Sequence, residues 1–342
     1  MHNTVTRRLL RVLLAGGLCL TSLAAAGAAG PEAIPAPPPE VLLPELWNPL
    51  AFPEEEPEDL PDPGKEALQA SVLLLAREEL TEEQRLALAL RAEREPGLLE
   101  RLDSFSDAQL ALLALPNARA GRLDRCLAWM EAHPEDTPEN AVFSVNADRD
   151  LVFYSAVTEI ADPLSLTALV NKHYALPAGY VPELEALGAG YGSGSLRPEA
   201  ARAFRAMADA ARAEDVSLRS VSAYRSYASQ KITYNNYLKK YRQSVVDTFS
   251  ARPGHSEHQT GLALDINVAS SKAHFENTKA FAWLKEHCAE YGFILRYDQG
   301  KEDITGYRFE PWHYRYVGVE TAKAVMEQDL CYEEYLALQP VQ

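Results

Sequence analysis

GHSEHQTGLALDI, the stretch from Gly254 to Ile266, decides the fold because it joins a polar turn to an apolar strand. Its second half opens a predicted strand over Gly261–Val268, with leucine and isoleucine alternating along one face. Asp265 lies on the opposite face, where a buried carboxylate is costly unless it is paired, hydrogen-bonded or bound to a metal. His258 precedes it across a glycine that permits a tight turn. This pair alone is consistent with a metal site or with an ordinary Asp–His hydrogen bond.

A second polar cluster lies in the aromatic, strand-like run YRFEPWHYRYVG, Tyr307–Gly318, which contains Glu310 and His313. A catalytic zinc ion takes three protein ligands from His, Asp or Glu and keeps its fourth position for water. His258, Asp265 and His313 can supply these ligands. Glu310 is then a carboxylate beside the metal that can take the proton from the bound water. The two clusters together predict a hydrolytic zinc site.

The residues of both clusters form a spaced double motif. It reads Ser256-x-His258-x-x-Gly261-x-Ala263-x-Asp265, followed by Glu310-x-Trp312-His313. This pattern resembles the double motif of the VanY-type zinc D-alanyl-D-alanine carboxypeptidases, which are LAS-type metallopeptidases related in fold to lysostaphin and the hedgehog signalling domain. The segment LVNKHYALPAGYVPEL resembles the opening of these domains, and the group from Tyr224 to Gln230 resembles their substrate-binding strand end. The resemblance covers residues 140–338.

The resemblance implies a role for each matching residue. The implied zinc ligands are His258, Asp265 and His313. Glu310 is the implied general base, and Arg225 holds the substrate carboxylate or the developing oxyanion, for which a planar guanidinium is suited. Ser256 and Gln230 line the subsite of the terminal D-residue. The implied cofactor is Zn²⁺, and the implied partner is a peptidoglycan stem peptide.

The fold expected for residues 140–338 is α+β, a small antiparallel sheet with flanking helices and a zinc groove at its two motif strands. The segment from Pro198 to Glu214 predicts an amphipathic helix with proline in its first turn. A half-buried strand is expected from Val216 to Arg225, followed by a tyrosine-rich helix from Ala228 to Arg242. We expect these tyrosines to face the core rather than a sugar ring.

The N-terminus predicts export. Residues 1–30 carry arginines, then an uncharged run over residues 12–30 that ends in small residues, which is the order of a secretory signal peptide. The run is also near the length that spans a bilayer, so a retained membrane anchor is the alternative. Residues 31–63 hold eleven of the 22 prolines and an acidic cluster, which predicts a disordered linker. The expected location is the extracellular face of the membrane or the cell wall.

Residues 64–139 predict a small all-α module ahead of the catalytic domain. Thr81 to Gln84 and Ser106 to Gln109 both fit the capping box, and each opens a run rich in Leu and Ala. We interpret this region as three or four short helices with a structural or docking role, because it contains no catalytic cluster.

Charge and cysteine content limit the partners. The formal net charge of −16 argues against nucleic acid and against an anionic lipid surface, since both attract Lys and Arg. The four cysteines include no CxxC pair, which argues against a zinc ribbon and a disulfide framework. Cys288 and Cys331 could pair in an oxidising compartment, which the sequence leaves open. The expected oligomeric state is a monomer.

Three functions are consistent with these features. The first is a zinc carboxypeptidase that removes the terminal D-alanine from stem peptides, favoured by Arg225 and Ser256 at a free substrate carboxylate. The second is a peptidoglycan cross-link endopeptidase with the same metal site. The third is a non-catalytic, zinc-containing cell-wall-binding module. Glu310 counts against it, because a structural zinc site closes its fourth position with another ligand. D,D- or L,D-specificity and the length of the stem peptide stay open.

Overall fold

A computed structural model describes residues 64–266 and 274–341 of the chain. The predicted signal or anchor segment and the predicted linker lie outside the described residues. The chain divides into two compact units. The first reaches Val142 and includes the residues from Gln339 onwards, and the second runs from Phe143 to Leu338. The domain boundaries expected from the sequence stay predictions.

The described part of the first unit is helical, and its helices begin where the sequence supplies caps. Its α-helices are α1 (Lys65–Leu74), α2 (Glu82–Arg94), α3 (Asp107–Leu113) and α4 (Leu123–Ala132), with 3₁₀ turns at Leu99–Ser104 and Ala120–Arg122. Both predicted capping boxes are present. Thr81 and Gln84 exchange hydrogen bonds of 3.2 and 2.9 Å at α2, and Ser106 and Gln109 exchange bonds of 3.2 and 2.8 Å at α3. Within the described ranges, no helix is both long and apolar enough to cross a membrane.

The second unit combines small sheets with helices, so the predicted α+β class is confirmed. Its α-helices are α5 (Pro138–Asn146, which begins in the first unit), α6 (Pro198–Ala213), α7 (Tyr227–Leu238), α8 (Gln243–Val246), α9 (Lys279–His287), α10 (Glu302–Thr305), α11 (Val319–Glu327) and α12 (Tyr332–Leu338). Its strands are β1 (Thr158–Glu159), β2 (Tyr174–Ala175), β3 (Glu185–Ala186), β4 (Ser195–Leu196), β5 (Ser220–Ser222), β6 (Ala263–Ile266), β7 (Phe293–Leu295) and β8 (His313–Tyr316). Short 3₁₀ helices cover Glu257–Thr260, Phe275–Asn277 and Cys288–Tyr291.

The central sheet is antiparallel, with the strand order β5–β6–β8–β7. Its two inner strands carry the two motifs. The register pairs Asp265 with His313 and Ala263 with Arg315. Directly opposite residues of an antiparallel pair project to the same face, so His313 and Arg315 share the face of Asp265. This register therefore positions the site.

The opposite face of the sheet meets the apolar core. The amphipathic helix predicted from Pro198 is confirmed as α6, and it buries Phe204 and Met207. These side chains belong to the same core cluster as Leu264 of β6 and Tyr314 of β8. Each motif strand is therefore held by apolar packing on one face while its other face carries polar groups.

Two predicted strands are shorter than expected. The strand predicted from Val216 to Arg225 is regular only at β5, and its register with β6 is irregular. The strand predicted over Tyr307–Gly318 begins only at His313, because Pro311 has no amide hydrogen for a sheet and a turn forms there instead. The strand predicted from Gly261 is β6, Ala263–Ile266, and the rest of that prediction lies outside the described residues.

The tyrosine-rich helix and the cysteines also differ in detail from expectation. α7 begins where Ser226 accepts a 3.2 Å hydrogen bond from the Ser229 amide. Tyr234 faces inward, but Tyr237 is 38% exposed, so the expected inward packing holds for only part of the helix. A disulfide between Cys288 and Cys331 is not formed, since both are buried free thiols.

Candidate active site

The three predicted ligands converge where β8 begins, opposite the second half of the antiparallel strand β6. Asp265 and His313 are direct neighbours across these strands, and His258 comes from the 3₁₀ helix Glu257–Thr260 just before β6. Gly261 ends that helix with φ of +71°, and a Cβ there would approach the side chain of Pro182 to 3.1 Å. Glycine therefore allows the turn that brings His258 back over the strand. One ligand atom from each of the three residues lies within 4.8 Å of the other two, and all three residues are buried.

Hydrogen bonds orient both histidine rings. His258 Nδ1 donates to the carbonyl of Ala223 at 2.7 Å, which leaves Nε2 facing the Oδ1 atom of Asp265 at 3.5 Å. His313 has the reverse orientation: its Nδ1 faces Oδ1 of Asp265 at 3.2 Å, and its Nε2 donates to Oε2 of Glu257 at 3.3 Å. A nitrogen atom of each ring therefore points at the same carboxylate oxygen.

The pKa values of the two histidines are shifted in opposite directions. Burial lowers the pKa of His258, and the attraction of Asp265 only partly opposes this effect. Burial also opposes protonation of His313, but its hydrogen bonds to Asp265 and Glu257 outweigh burial and raise the pKa of His313 to about 9. Asp265 therefore acts on both rings, but it outweighs burial only at His313, where Glu257 adds a second hydrogen bond.

Glu310 reaches the same pocket through a turn. The amide of His313 donates to the Glu310 carbonyl at 3.0 Å, which closes a turn through Pro311 and Trp312. The Glu310 amide donates to the Tyr297 carbonyl at 3.0 Å. A strand would have pointed Glu310 and His313 to opposite faces, so this turn is what allows both to line one pocket.

Arg225 is held in place before it meets any substrate. It lies between β5 and α7, and its Nη1 and Nη2 donate to Gln230 Oε1 at 2.9 Å and to Ser222 Oγ at 2.8 Å. Gln230 is itself anchored, because its Nε2 donates to the Ala251 carbonyl at 2.7 Å. A guanidinium fixed in this way can receive a carboxylate without reorganising.

All of the predicted site residues line one pocket of about 120 Å³: Arg225, Gln230, Ser256, His258, Asp265, Glu310 and His313. Among the lining groups that the sequence prediction missed are the ring of Tyr297 and the carboxylate of Glu257. The Tyr297 ring lies 4.9 Å from the His313 ring, centre to centre. Glu257 stands between two motif residues in the chain, which was the available signal, but its sequence neighbours do not reveal that it is fully buried.

Burial alone would raise the pKa of Glu257. The guanidinium groups of Arg296 and Arg315 outweigh burial and hold the pKa well below its usual range. Neither arginine is accessible to solvent. The site therefore includes a buried anion beside His313 that is ionised at neutral pH.

Comparison with known proteins agrees with this geometry. The family model for VanY, D-alanyl-D-alanine carboxypeptidase, matches residues 193–319. The YodJ protein of Bacillus subtilis (strain 168) is 40% identical over an alignment of 212 residues, and the match covers 58% of this chain and 77% of that protein. The bifunctional D-Ala-D-Ala dipeptidase and D-Ala-D-Ala carboxypeptidase VanXYC of Enterococcus gallinarum is 35% identical over an alignment of 146 residues, and the match covers 41% of this chain and 76% of the relative.

A solved structure, that of the LD-carboxypeptidase LdcB, is similar with a TM-score of 0.50 and 41% identity, and the match covers 52% of this chain and 89% of LdcB. The chain belongs to the VanY family of D-alanyl-D-alanine carboxypeptidases. It is a carboxypeptidase, as the double motif predicts, and every predicted site residue lies within the matched segment.

Proposed function

We propose that this protein is a zinc-dependent carboxypeptidase that removes the terminal D-alanine from peptidoglycan stem peptides. The convergence of ligand atoms from His258, Asp265 and His313 within 4.8 Å carries the proposal. Two imidazoles and one carboxylate are the donors of a catalytic zinc site, which keeps a further position open. The hydrogen bond from His258 Nδ1 to Ala223 leaves Nε2 able to bind a metal, so the residues fit the ion.

Bound zinc would supply Lewis acidity and lower the pKa of a water molecule. Glu310 would then accept the proton of the attacking water and return it to the leaving amine. Its position three residues before His313, across the turn at Pro311, supports this role because both side chains line the same pocket. The reaction adds water across the last peptide bond and releases free D-alanine.

Arg225 would bind the C-terminal carboxylate of the substrate. Its guanidinium is already fixed by Ser222 and Gln230, so little side-chain entropy is lost on binding. Ser256 and Gln230 line the same pocket and would contact the terminal D-residue. This arrangement favours a substrate with a free carboxylate over a cross-linked one.

We propose that the enzyme acts outside the cytoplasm, where mature peptidoglycan lies. The arginines and the uncharged run of residues 1–30 support export, with the linker of residues 31–63 separating the enzyme from the membrane if the segment is retained. Export is tested by the position of the N-terminus in protein recovered from the cell envelope and from the medium.

The decisive experiment measures metal content and products together. Purified protein should contain about one zinc ion and release D-alanine from a synthetic pentapeptide ending in D-Ala-D-Ala, with activity lost to a chelator and restored by Zn²⁺. His258→Ala and Asp265→Ala should lose most of the zinc. Full zinc occupancy in both variants would remove these residues from the ligand set.

The peptide set separates the alternatives. Cleavage of only the tetrapeptide would assign L,D-specificity, the activity for which LdcB is named. Equal rates on C-terminally amidated or cross-linked peptides would indicate an endopeptidase. A protein with full zinc that hydrolyses none of these peptides would contradict the catalytic assignment and leave a binding module.

A further inference from the structure

We propose that Glu257 is a positioning residue that directs the Nδ1 atom of His313 into the metal site. This inference rests on the proposed zinc site and adds a residue that is neither a ligand nor the proposed base. Glu257 follows Ser256 and precedes His258 in the short 3₁₀ helix Glu257–Thr260. One turn of chain therefore supplies both a metal ligand and the hydrogen-bond partner of a second ligand.

The two carboxylate oxygens of Glu257 have separate partners. Oε1 accepts from Arg296 Nε at 2.8 Å and from Arg315 Nη1 at 3.1 Å. Oε2 accepts from His313 Nε2 at 3.3 Å. A carboxylate can only accept when ionised, so His313 must carry its hydrogen on Nε2. Asp265 also faces this ring, at Nδ1, but it is a proposed zinc ligand. With Asp265 on the metal, Glu257 would remain as the acceptor for the ring hydrogen, and the lone pair would be on Nδ1.

The metal site would therefore use different nitrogen atoms from its two histidines. The Ala223 carbonyl fixes the hydrogen of His258 on Nδ1 and leaves Nε2 for the metal. Glu257 does the opposite for His313. The hydrogen-bond partner of each ring selects the nitrogen that is able to bind metal, as partners of metal-bound histidines generally do.

Buried ion pairs prevent the Glu257 carboxylate from rotating. Arg296 also forms a bidentate pair with Glu333 of α12, with distances of 2.8 and 2.7 Å. Arg315 Nη2 donates to the carbonyls of Leu166 and Ala168, both at 3.0 Å. Two carboxylates and two guanidinium groups balance in charge, which makes their burial tolerable. The cluster formed by Glu257, Arg296, Arg315 and Glu333 is therefore a rigid support on one side of the His313 ring.

A purely structural role for Glu257 in these ion pairs is the competing explanation, and Glu333 provides a matched control. Both glutamates are buried and both pair with Arg296, but Glu333 also accepts a hydrogen bond from Asn171, whereas Glu257 also accepts one from His313. In Glu257→Gln the single amide oxygen stays with the arginines, and the NH₂ group faces His313 Nε2. That donor favours a lone pair on Nε2 and moves the ring hydrogen to Nδ1, where it blocks the metal.

The experiment compares zinc binding to the full chain and to its Glu257→Gln and Glu333→Gln variants, by competition with a chromophoric chelator. Urea unfolding of the same samples measures stability. We expect Glu257→Gln to weaken zinc binding roughly 10- to 100-fold, the usual effect of losing the partner of a metal ligand. Glu333→Gln should lower stability but keep zinc affinity close to that of the unchanged protein. The visible spectrum of the Co²⁺-loaded protein should change only in Glu257→Gln. Equal zinc affinities in the two variants would overturn the proposal.

A second measurement does not depend on whether a variant folds. Long-range ¹H–¹⁵N correlation spectra of the unchanged zinc-loaded protein report which ring nitrogen carries hydrogen and which binds metal. We expect a protonated Nε2 and a metal-bound Nδ1 for His313, and the reverse for His258. Metal bound to Nε2 of His313 would overturn the positioning role while leaving the zinc enzyme intact. Failure of the unchanged protein to bind zinc would overturn the proposed function itself.

Discussion

The two units of this chain bury different kinds of side chain. In the described residues of the first unit, up to Val142, the buried side chains are apolar, and polar groups serve as caps at the surface. In the second unit, charged groups are fully buried beside the motif strands, among them Glu257, Arg296 and Arg315. Burying charge is costly without close partners. Within the described residues, the buried charges therefore lie in the second unit, beside the strands that carry the two motifs.

The largest expected effect follows from removing the proposed base of the second unit. Glu310→Gln is nearly isosteric and leaves the three ligands unchanged, so it should keep the fold and the zinc. Loss of a general base costs about 10²–10⁴ in rate, so turnover should fall by that factor while peptide still binds. Steady-state kinetics and metal analysis check this, with Glu320→Gln, at an exposed position of α11, as the control. Near-normal turnover in Glu310→Gln would contradict the proposed general-base mechanism, and loss of zinc from this variant would indicate that Glu310 is a metal ligand.

Arg225→Lys should have the next largest effect. Lysine cannot offer the planar fork, and a lost hydrogen bond to a charged group costs about 1.5–3 kcal/mol. kcat/KM on a free-acid stem peptide should therefore fall roughly 10- to 100-fold. Arg219→Lys, at an exposed position of the same segment, is the matched control. An equal loss of kcat/KM on the C-terminally amidated peptide would show that Arg225 does not bind the substrate carboxylate.

Zinc affinity should depend on pH through His313. Its raised pKa of about 9 means that the protein prepared without metal carries a proton there at pH 7, which zinc must displace. Apparent affinity should rise about tenfold per pH unit from pH 7 towards pH 9. The free energy of unfolding of the metal-free protein should change with pH in the opposite direction. The raised pKa of His313 stabilises the folded state at a pH below the pKa of this histidine in the unfolded chain, and that contribution is lost as the pH rises through 9. Calorimetry in buffers of different ionisation enthalpy should detect about one released proton, and a pH-independent affinity would contradict the assignment.

The smallest effect is expected in the first unit. Thr81→Ala removes the cap of α2, which typically costs about 1 kcal/mol. Chemical denaturation should show this loss, whereas zinc affinity and turnover should not change. Ser106→Ala at α3 should behave in the same way. A cap variant that lowered zinc affinity would contradict the separation of roles between the two units.

The sequence predicted the parts of the site whose residues lie close together along the chain. His258, Gly261 and Asp265 lie close together in the chain, so strand periodicity and a glycine turn were enough to predict their proximity. Capping boxes and the amphipathic α6 were predicted for the same reason, because each depends on residues three or four positions apart. The role expected for Glu310 came from its place beside His313 in the chain and from the family resemblance, and the turn at Pro311 explains how Glu310 lines the pocket.

Only the tertiary structure showed the cluster of Glu257, Arg296, Arg315 and Glu333. Its hydrogen bonds join residues 37 to 58 positions apart. A charged residue that will be buried looks the same in a sequence as one that faces water, since its cost and its partners depend on the strand register and on what packs above it. The pairing of Ala263 with Arg315 and of Asp265 with His313 sets that register. The sequence by itself determined which residues could hold a metal, and the register of β6 and β8 decided which buried charges orient them.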